Sequence, residues 1–143
     1  MTLLETPQIT IDLTADRTVP WVDVCAFEDL VPDVGVAALV DGEAVAVFRC
    51  WPTDELHAIA NVDPYTGASV LSRGIVGSIR DRPVVASPMF KQRFDLTTGV
   101  AIDDETVQVA VYAVATIAGR VVVGRTHDGV TTRKRHGNTL PSP

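Results

Sequence analysis

The sequence predicts an all-β domain of short antiparallel strands, arranged as a sandwich or a barrel. Apolar and polar residues alternate with the period of β-strands in several short segments, and turn-forming Gly, Pro and Asp residues separate these segments. No segment sustains a helical period, and no segment repeats another. The chain has 143 residues, which is enough for one domain with a hydrophobic core.

The first strands are predicted from alternation and from one tight turn. Residues 21–25 alternate as a half-buried strand does. Residues 36–40 and 44–50 flank Asp41-Gly42, a pair that favours the positive φ angles of a short hairpin turn. Residues 56–60 are expected to form the next strand.

Residues 61–83 are predicted to form a long loop excursion. They are dense in turn formers, and Gly74 and Gly77 weaken any strand or helix there. Loops of this length in a compact domain are usually functional or form an interface.

A second loop follows. The strand at 84–86 is expected to break at Ser87-Pro88, because proline cannot donate to a sheet ladder. It resumes at 93–96 and turns at Thr98-Gly99. A hairpin interrupted in this way presents its proline-containing loop to another molecule.

The predicted β domain covers residues 20–124 and ends with a hairpin formed by 107–114 and 121–123. Residues 1–19 are interpreted as a flexible N-terminal arm, and the polar, basic residues 125–143 as a disordered tail.

The charge distribution disfavours nucleic acid as a partner. The net charge is −6, and residues 1–63 carry twelve acidic and only two basic residues, so the protein as a whole repels a phosphate backbone. No apolar run is long enough to span a bilayer, and the N-terminus lacks the pattern of a secretory signal. We therefore expect a cytoplasmic protein without a membrane partner.

The residue inventory predicts no metal site and no catalytic residue in this chain. The three histidines are scattered, and Cys25 and Cys50 are expected to be buried thiols rather than a disulfide or metal ligands. Only His57 is available as a base inside the domain for a serine nucleophile. The acidic run 103–105 is interpreted as a solvated turn.

A cluster of basic residues is the remaining chemical signal. It is opposed only by Asp81, and two readings stay open: a solvated surface, or a docking face whose charges steer an acidic partner. Its members are Arg73, Arg80, Arg82, Lys91 and Arg93.

The sequence resembles the small subunits of assimilatory NADH-dependent nitrite reductase, which have a Rieske-like fold. The resemblance covers residues 20–124. It is carried by residues 21–25, 45–49, 58–64, 70–77 and 86–99. The most specific pieces are Leu-Ser-Arg-Gly, at 71–74, and the Ser-Pro, Lys-Gln and Phe of residues 87–94.

The resemblance implies a vestigial cluster site on two loops. Rieske domains hold a [2Fe-2S] cluster with C-x-H in one loop and C-x-x-H in another. Those positions fall on Asn61 and Asp63, and on Ser87 and Phe90. None is Cys or His, so no cofactor is expected in this chain, and a working Rieske ferredoxin is disfavoured.

The resemblance also implies a role as an accessory subunit in the reduction of nitrite to ammonia for nitrogen assimilation. FAD, an iron–sulfur cluster and sirohaem would lie on the large catalytic subunit, the expected partner. The alternative is a free-standing β domain that binds a protein or small ligand without a redox role.

The vestigial loops are predicted to contact the partner, because aromatic residues, Met and Arg are enriched in interface cores. For Met89 and Phe90 a second reading stays open, in which they fill the volume of the missing cluster. The candidate partner-binding residues are Tyr65, Arg73, Met89, Phe90, Lys91 and Arg93.

Overall fold

Eleven short strands and two single-turn 3₁₀ helices make up the part of the chain that the computed structural model describes, residues 21–126 and 133–134. The 3₁₀ helices are Phe27–Asp29 and Leu71–Arg73. The strands are β1 (Val22–Ala26), β2 (Val36–Val40), β3 (Glu43–Cys50), β4 (Glu55–Ala60), β5 (Ile75–Ile79), β6 (Arg82–Ala86), β7 (Arg93–Asp95), β8 (Val107–Gln108), β9 (Tyr112–Ile117), β10 (Arg120–Thr126) and β11 (Arg133–Lys134).

The strands form small antiparallel sheets, which confirms the predicted all-β fold class. Three sheets have three strands each, in the orders β1-β10-β9, β2-β3-β4 and β5-β6-β7, and β11 pairs with β8. The first two sheets meet where the Ala60 N–H donates to the Ala110 carbonyl oxygen at 2.9 Å and Ile59 bridges Val111. The described residues contain no α-helix.

The hairpin predicted around Asp41-Gly42 is confirmed. Strands β2 and β3 pair from Val40 opposite Glu43, and the two turn residues have φ angles of 53° and 83°. Two successive positive φ angles match the right-handed twist of the strands that the turn connects.

The prediction of a long loop over 61–83 is wrong for the second half of that segment, where β5 and β6 form a hairpin. Gly74 does not break this hairpin but permits it, because a Cβ there would lie 2.4 Å from the Ala86 carbonyl oxygen. The turn consists of Arg80 and Asp81, which take φ angles of 52° and 67° without a glycine. Only the segment before β5 remains a loop.

The end of the domain also differs from the prediction. The segment 107–114 divides into β8 and the start of β9, because between them the Val109 N–H donates to the Gly99 carbonyl oxygen at 2.8 Å. Strand β10 runs to Thr126, and β11 pairs with β8, so two strand segments fall within the predicted tail. The predicted arm, 1–19, and the rest of the tail lie outside the described residues.

The core fills the space between the sheets and below the loops. Its largest fully buried side chains are Phe48, Phe94, Leu30, Ile59, Leu71 and Leu96. Both cysteines are free thiols. Cys50 is buried as predicted, whereas Cys25 was predicted to be buried and is only half-buried. Burial, followed by the charge of Asp33, raises the pKa of Cys50 to about 11. Within residues 21–126 there is no helix with the length and apolar character of a membrane span.

Candidate functional site

Two loops meet at one end of the domain and are joined by a buried hydrogen bond. The first loop, 61–70, connects β4 to the second 3₁₀ helix, and the second loop, 87–92, connects β6 to β7. The Ser87 hydroxyl donates to Asp63 Oδ2 at 2.6 Å, and both side chains are buried. Two positions that the sequence assigned to opposite halves of a vestigial site are therefore in direct contact.

The first loop is held by the side chain of Asn61. Its amide nitrogen donates to Ser69 Oγ at 2.9 Å, and its amide oxygen accepts the Ser72 N–H at 2.6 Å. The Asn61 carbonyl oxygen accepts the Leu71 N–H at 2.9 Å. The side chain thus connects the start of the loop to its end and to the 3₁₀ helix beyond it.

Asp63 organises the turn at the tip of the first loop. Its second carboxylate oxygen, Oδ1, accepts the Tyr65 N–H at 2.8 Å, as in an Asx turn. Its N–H donates to the Ala68 carbonyl oxygen at 2.8 Å, and its carbonyl oxygen accepts the Gly67 N–H at 2.7 Å. Each carboxylate oxygen of Asp63 therefore has a hydrogen-bond donor.

Ser87 organises the second loop, as Asp63 organises the first. Its N–H donates to the Gln92 carbonyl oxygen at 2.8 Å, and its carbonyl oxygen accepts the Lys91 N–H at 2.9 Å. Its hydroxyl oxygen also accepts the Met89 N–H at 3.2 Å. These bonds close the loop in a tight turn, in which Lys91 has a φ of 61°.

The tip of the second loop is apolar and exposed. Phe90 is 67% exposed and Met89 is 43% exposed. Neither is buried between the loops, so the exposure favours a contact role over a filling role. The sequence missed Ile75, which is 77% exposed and lies beside this loop because it pairs with Ala86, the residue before Ser87. The only signal for it was an apolar residue directly after Arg73-Gly74.

The basic cluster divides into paired and unpaired residues. Arg82 donates to Asp95 Oδ2 at 2.6 Å, and Arg93 donates to both oxygens of Asp103 at 3.2 Å. Arg73 and Lys91 are exposed, and neither has an ion pair within the described residues. The free positive charge beside the loops therefore comes from these two residues.

Tyr65 lies at the base of the site. It is half-buried, and its ring centroid is 6.2 Å from that of Phe94 in a tilted arrangement. Burial raises the pKa of its hydroxyl, and the nearby carboxylates of Asp104, Asp63 and Asp103 raise it further. The Tyr65 ring therefore packs against the domain and supports the first loop, rather than projecting from the loop.

No group of His, Cys, Asp or Glu within the described part of the chain has the arrangement of a metal site. His57 lies on β4, where its Nε2 is 3.2 Å from Glu55 Oε1, and the two cysteines lie on β1 and β3 rather than on the loops.

Comparison with known proteins places this geometry in a family. The chain matches the Rieske-like [2Fe-2S] domain over residues 20–124. The nitrite reductase (NADH) small subunit of Escherichia coli K12 is 44% identical over 92 residues, which cover 64% of this chain and 85% of that subunit.

A solved structure and a fused relative agree with this match. The structure, described as an NADH-dependent nitrite reductase small subunit from Mycobacterium tuberculosis, has a TM-score of 0.73 and 43% identity, and the match covers 76% of this chain and 97% of that one. The nitrite reductase NAD(P)H large subunit of Klebsiella oxytoca is 33% identical over 105 residues, which are 73% of this chain and 11% of that subunit. The chain therefore belongs to the Rieske-like domain family, among the small subunits of NADH-dependent nitrite reductase.

Proposed function

We propose that this chain is an accessory, cluster-free subunit of a cytoplasmic assimilatory nitrite reductase, and that its two joined loops dock on the large catalytic subunit. The observation that carries the proposal is the Ser87–Asp63 hydrogen bond, at 2.6 Å. It joins the loops with the chain's own side chains and leaves Phe90 outside, where a partner can reach it.

The residues at the vestigial ligand positions do not fit a [2Fe-2S] cluster. Such a cluster needs two thiolates and two imidazoles. Phe90 has no lone pair, and Asn61 already uses both ends of its amide within the first loop. Asp63 and Ser87 satisfy each other. We therefore derive no electron transfer through this site.

The surface around the loops has the composition of a docking face. Phe90, Met89 and Ile75 supply exposed apolar area, and Arg73 and Lys91 supply unpaired positive charge. Apolar residues in the centre of an interface provide most of the affinity, while charges at its rim accelerate encounter with an acidic surface. We call this set of five residues the loop face.

The Klebsiella oxytoca relative supports an association with the large subunit. There, a segment similar to this chain lies within the large subunit itself. A domain that is fused in one protein and separate in another is expected to contact the same partner. The flavin, iron–sulfur and sirohaem chemistry of nitrite reduction would then remain on the large subunit, while this chain positions or stabilises it.

The test is complex formation with the large catalytic subunit of nitrite reductase from the same organism, measured by biolayer interferometry at low and physiological salt. A Phe90→Ser, Lys91→Glu double variant is expected to weaken binding at least tenfold, the equivalent of about 1.4 kcal/mol. Arg80→Glu is the control, because Arg80 lies at the opposite end of the β5–β6 hairpin. Unchanged affinity of the double variant would remove the loop face from the interface.

Two further measurements address the subunit role itself. Nitrite-dependent NADH oxidation by the large subunit is expected to rise when this chain is added. An iron assay and visible spectrum of the purified chain are expected to show no [2Fe-2S] signal. Failure to bind or affect the large subunit would favour the free-standing binding module instead.

A further inference from the structure

Among the described residues, no strand pairs with the outer edge of β5. This strand is the outer strand of the sheet β5-β6-β7. Its pairing with β6 runs from Ile75 opposite Ala86 to Ile79 opposite Arg82 across a two-residue turn. In an antiparallel hairpin, residue pairs that exchange backbone hydrogen bonds alternate with pairs that do not. Pro83 belongs to a pair that does not, since its carbonyl oxygen accepts the Leu96 N–H, on the side away from β5, at 2.9 Å. Ser78, opposite Pro83, and Val76 therefore direct their N–H and C=O groups away from the sheet.

This edge lacks the usual protection against strand pairing. Exposed edge strands commonly carry charged side chains, proline or a bulge. The sequence of β5, Ile-Val-Gly-Ser-Ile, contains none of these, and its pairing with β6 shows no register shift. Gly77, between Val76 and Ser78, has open space where a side chain would be. No side chain at Gly77 therefore covers the edge between Val76 and Ser78.

A groove of about 420 Å³ runs beside the open edge. Val76, Gly77 and Ser78 form one wall, and the turn after β3, with Trp51 and Pro52, forms the other. Trp51 is 69% exposed, so its ring is available to pack against a ligand. The groove is thus apolar on one side and has unpaired backbone groups on the other.

The groove is also acidic. Three carboxylates line it, from Asp33, Glu55 and Asp81, and no Lys or Arg of the described part of the chain does. Asp33 accepts the Trp51 N–H through one oxygen only, at 3.0 Å. An occupant is therefore expected to carry positive charge, and an exposed Trp ring favours cations as well.

We propose that the open edge of β5 binds an extended, basic peptide segment of a partner protein by strand addition. The segment would pair with the backbone groups of Val76 and Ser78, pack an alternate side chain on Trp51, and direct Lys or Arg side chains at the carboxylates. Backbone pairing would provide affinity, and the groove would provide specificity. Ile75 of the loop face begins the same strand, but the pairing groups of Val76 and Ser78 and the residues that line the groove include none of the five. The proposal therefore does not rest on the proposed function.

The probe is a six-residue peptide that alternates Lys or Arg with Val, with blocked ends and a fluorescent label. Its binding to the full chain is measured by fluorescence anisotropy, and the contact is located by amide NMR shifts. A peptide of the same sequence, N-methylated at alternate residues on its pairing edge, keeps the charge and apolar area but loses the backbone donors. The N-methylated peptide is expected to bind with an affinity at least about tenfold lower.

Protein variants test the other wall and the charge. Trp51→Ala and Asp81→Asn are each expected to weaken binding severalfold, and Asn retains the positive φ that position 81 requires. Glu105→Gln removes the same charge from a turn outside the groove and is expected to have no effect. The largest amide shifts are expected at Val76 and Ser78.

Three results would overturn the proposal. Equal binding of the N-methylated peptide would show attraction by charge alone. Amide shifts confined to the loop face would place the peptide there. A dimer in solution that pairs β5 with β5 and persists at saturating peptide would show that the edge serves a second copy of the chain.

Discussion

Asp95 is held by Arg82 from the neighbouring strand at 2.6 Å, while its other carboxylate oxygen accepts the N–H groups of Thr97 and Thr98. Burial of Asp95 alone would raise its pKa. The hydrogen bonds from Arg82 and from the two backbone groups outweigh burial, and they lower the pKa of Asp95 below its ordinary value. Asp95 thereby fixes the turn that contains Thr97 and Thr98, directly after β7.

This relationship predicts a loss of stability in acid. A carboxyl group whose pKa is lower in the folded state stabilises the fold fully above the unfolded-state value. That contribution is lost as the pH falls from about 5, past about 3.9, towards the lower folded-state pKa. The free energy of urea unfolding should therefore fall more steeply with acid in the natural protein than in Asp95→Asn. Asp54→Asn, at an exposed carboxylate, should retain the steep dependence.

The buried contact between the loops predicts a cost for losing the Ser87 hydroxyl. Ser87→Ala leaves one oxygen of the buried Asp63 carboxylate without its side-chain donor. We expect a loss of about 1–3 kcal/mol in the free energy of unfolding, the usual cost of a buried unsatisfied acceptor. Thr97→Ala, at an exposed side chain, is expected to stay within about 0.5 kcal/mol. Equal effects of the two variants would mean that the contact does not stabilise the loops.

Two glycines near the site are predicted to respond in opposite ways to the same substitution. Gly74→Ala would place a Cβ 2.4 Å from the Ala86 carbonyl oxygen, whereas Gly77→Ala meets nothing within 4 Å. Thermal unfolding should show a destabilisation of about 1–3 kcal/mol for the first variant, as for overpacked cores. The second variant should be neutral or slightly stabilised. A neutral Gly74→Ala would show that β5 and β6 can separate at little cost.

Cys50 is predicted to resist alkylation in the folded protein. Its pKa of about 11 leaves roughly a thousandth of the thiol ionised at pH 8, and burial restricts access further. Labelling with iodoacetamide, followed by mass spectrometry, should be slow at Cys50 in the native state and fast in urea. Labelling of Cys25, which is half-buried, provides the internal comparison. Rapid native labelling of Cys50 would indicate frequent opening of the turn that contains Trp51.

The sequence predicted the parts of the fold that depend on local chemistry. Asp41-Gly42 specifies its hairpin turn because both residues tolerate positive φ. The hairpin at β5 was missed because its turn uses Arg80 and Asp81. A local pattern also treats Gly74 as a strand breaker, whereas the close approach of Ala86 requires a glycine there. Such close approaches between distant residues are not visible in a local pattern.

The same limit applies to the candidate site. Residue types alone placed Asp63 and Ser87 on two loops, but they did not show that the two side chains form a hydrogen bond. The sequence also grouped Arg82 and Arg93 with the free cations, whereas tertiary contacts pair them with Asp95 and Asp103. The exposure of Ile75 and the groove at Trp51 depend on the whole fold, and the apolar residue after Arg73-Gly74 was the only local signal for either.

The junction between the loops has a consequence for how the subunit is made. The contact between Ser87 and Asp63 consists of the chain's own side chains. It needs no delivery of iron or sulfide. Under the proposed function, the supply of this chain would therefore be independent of iron–sulfur assembly, and a cell short of iron could accumulate it before the large subunit is complete.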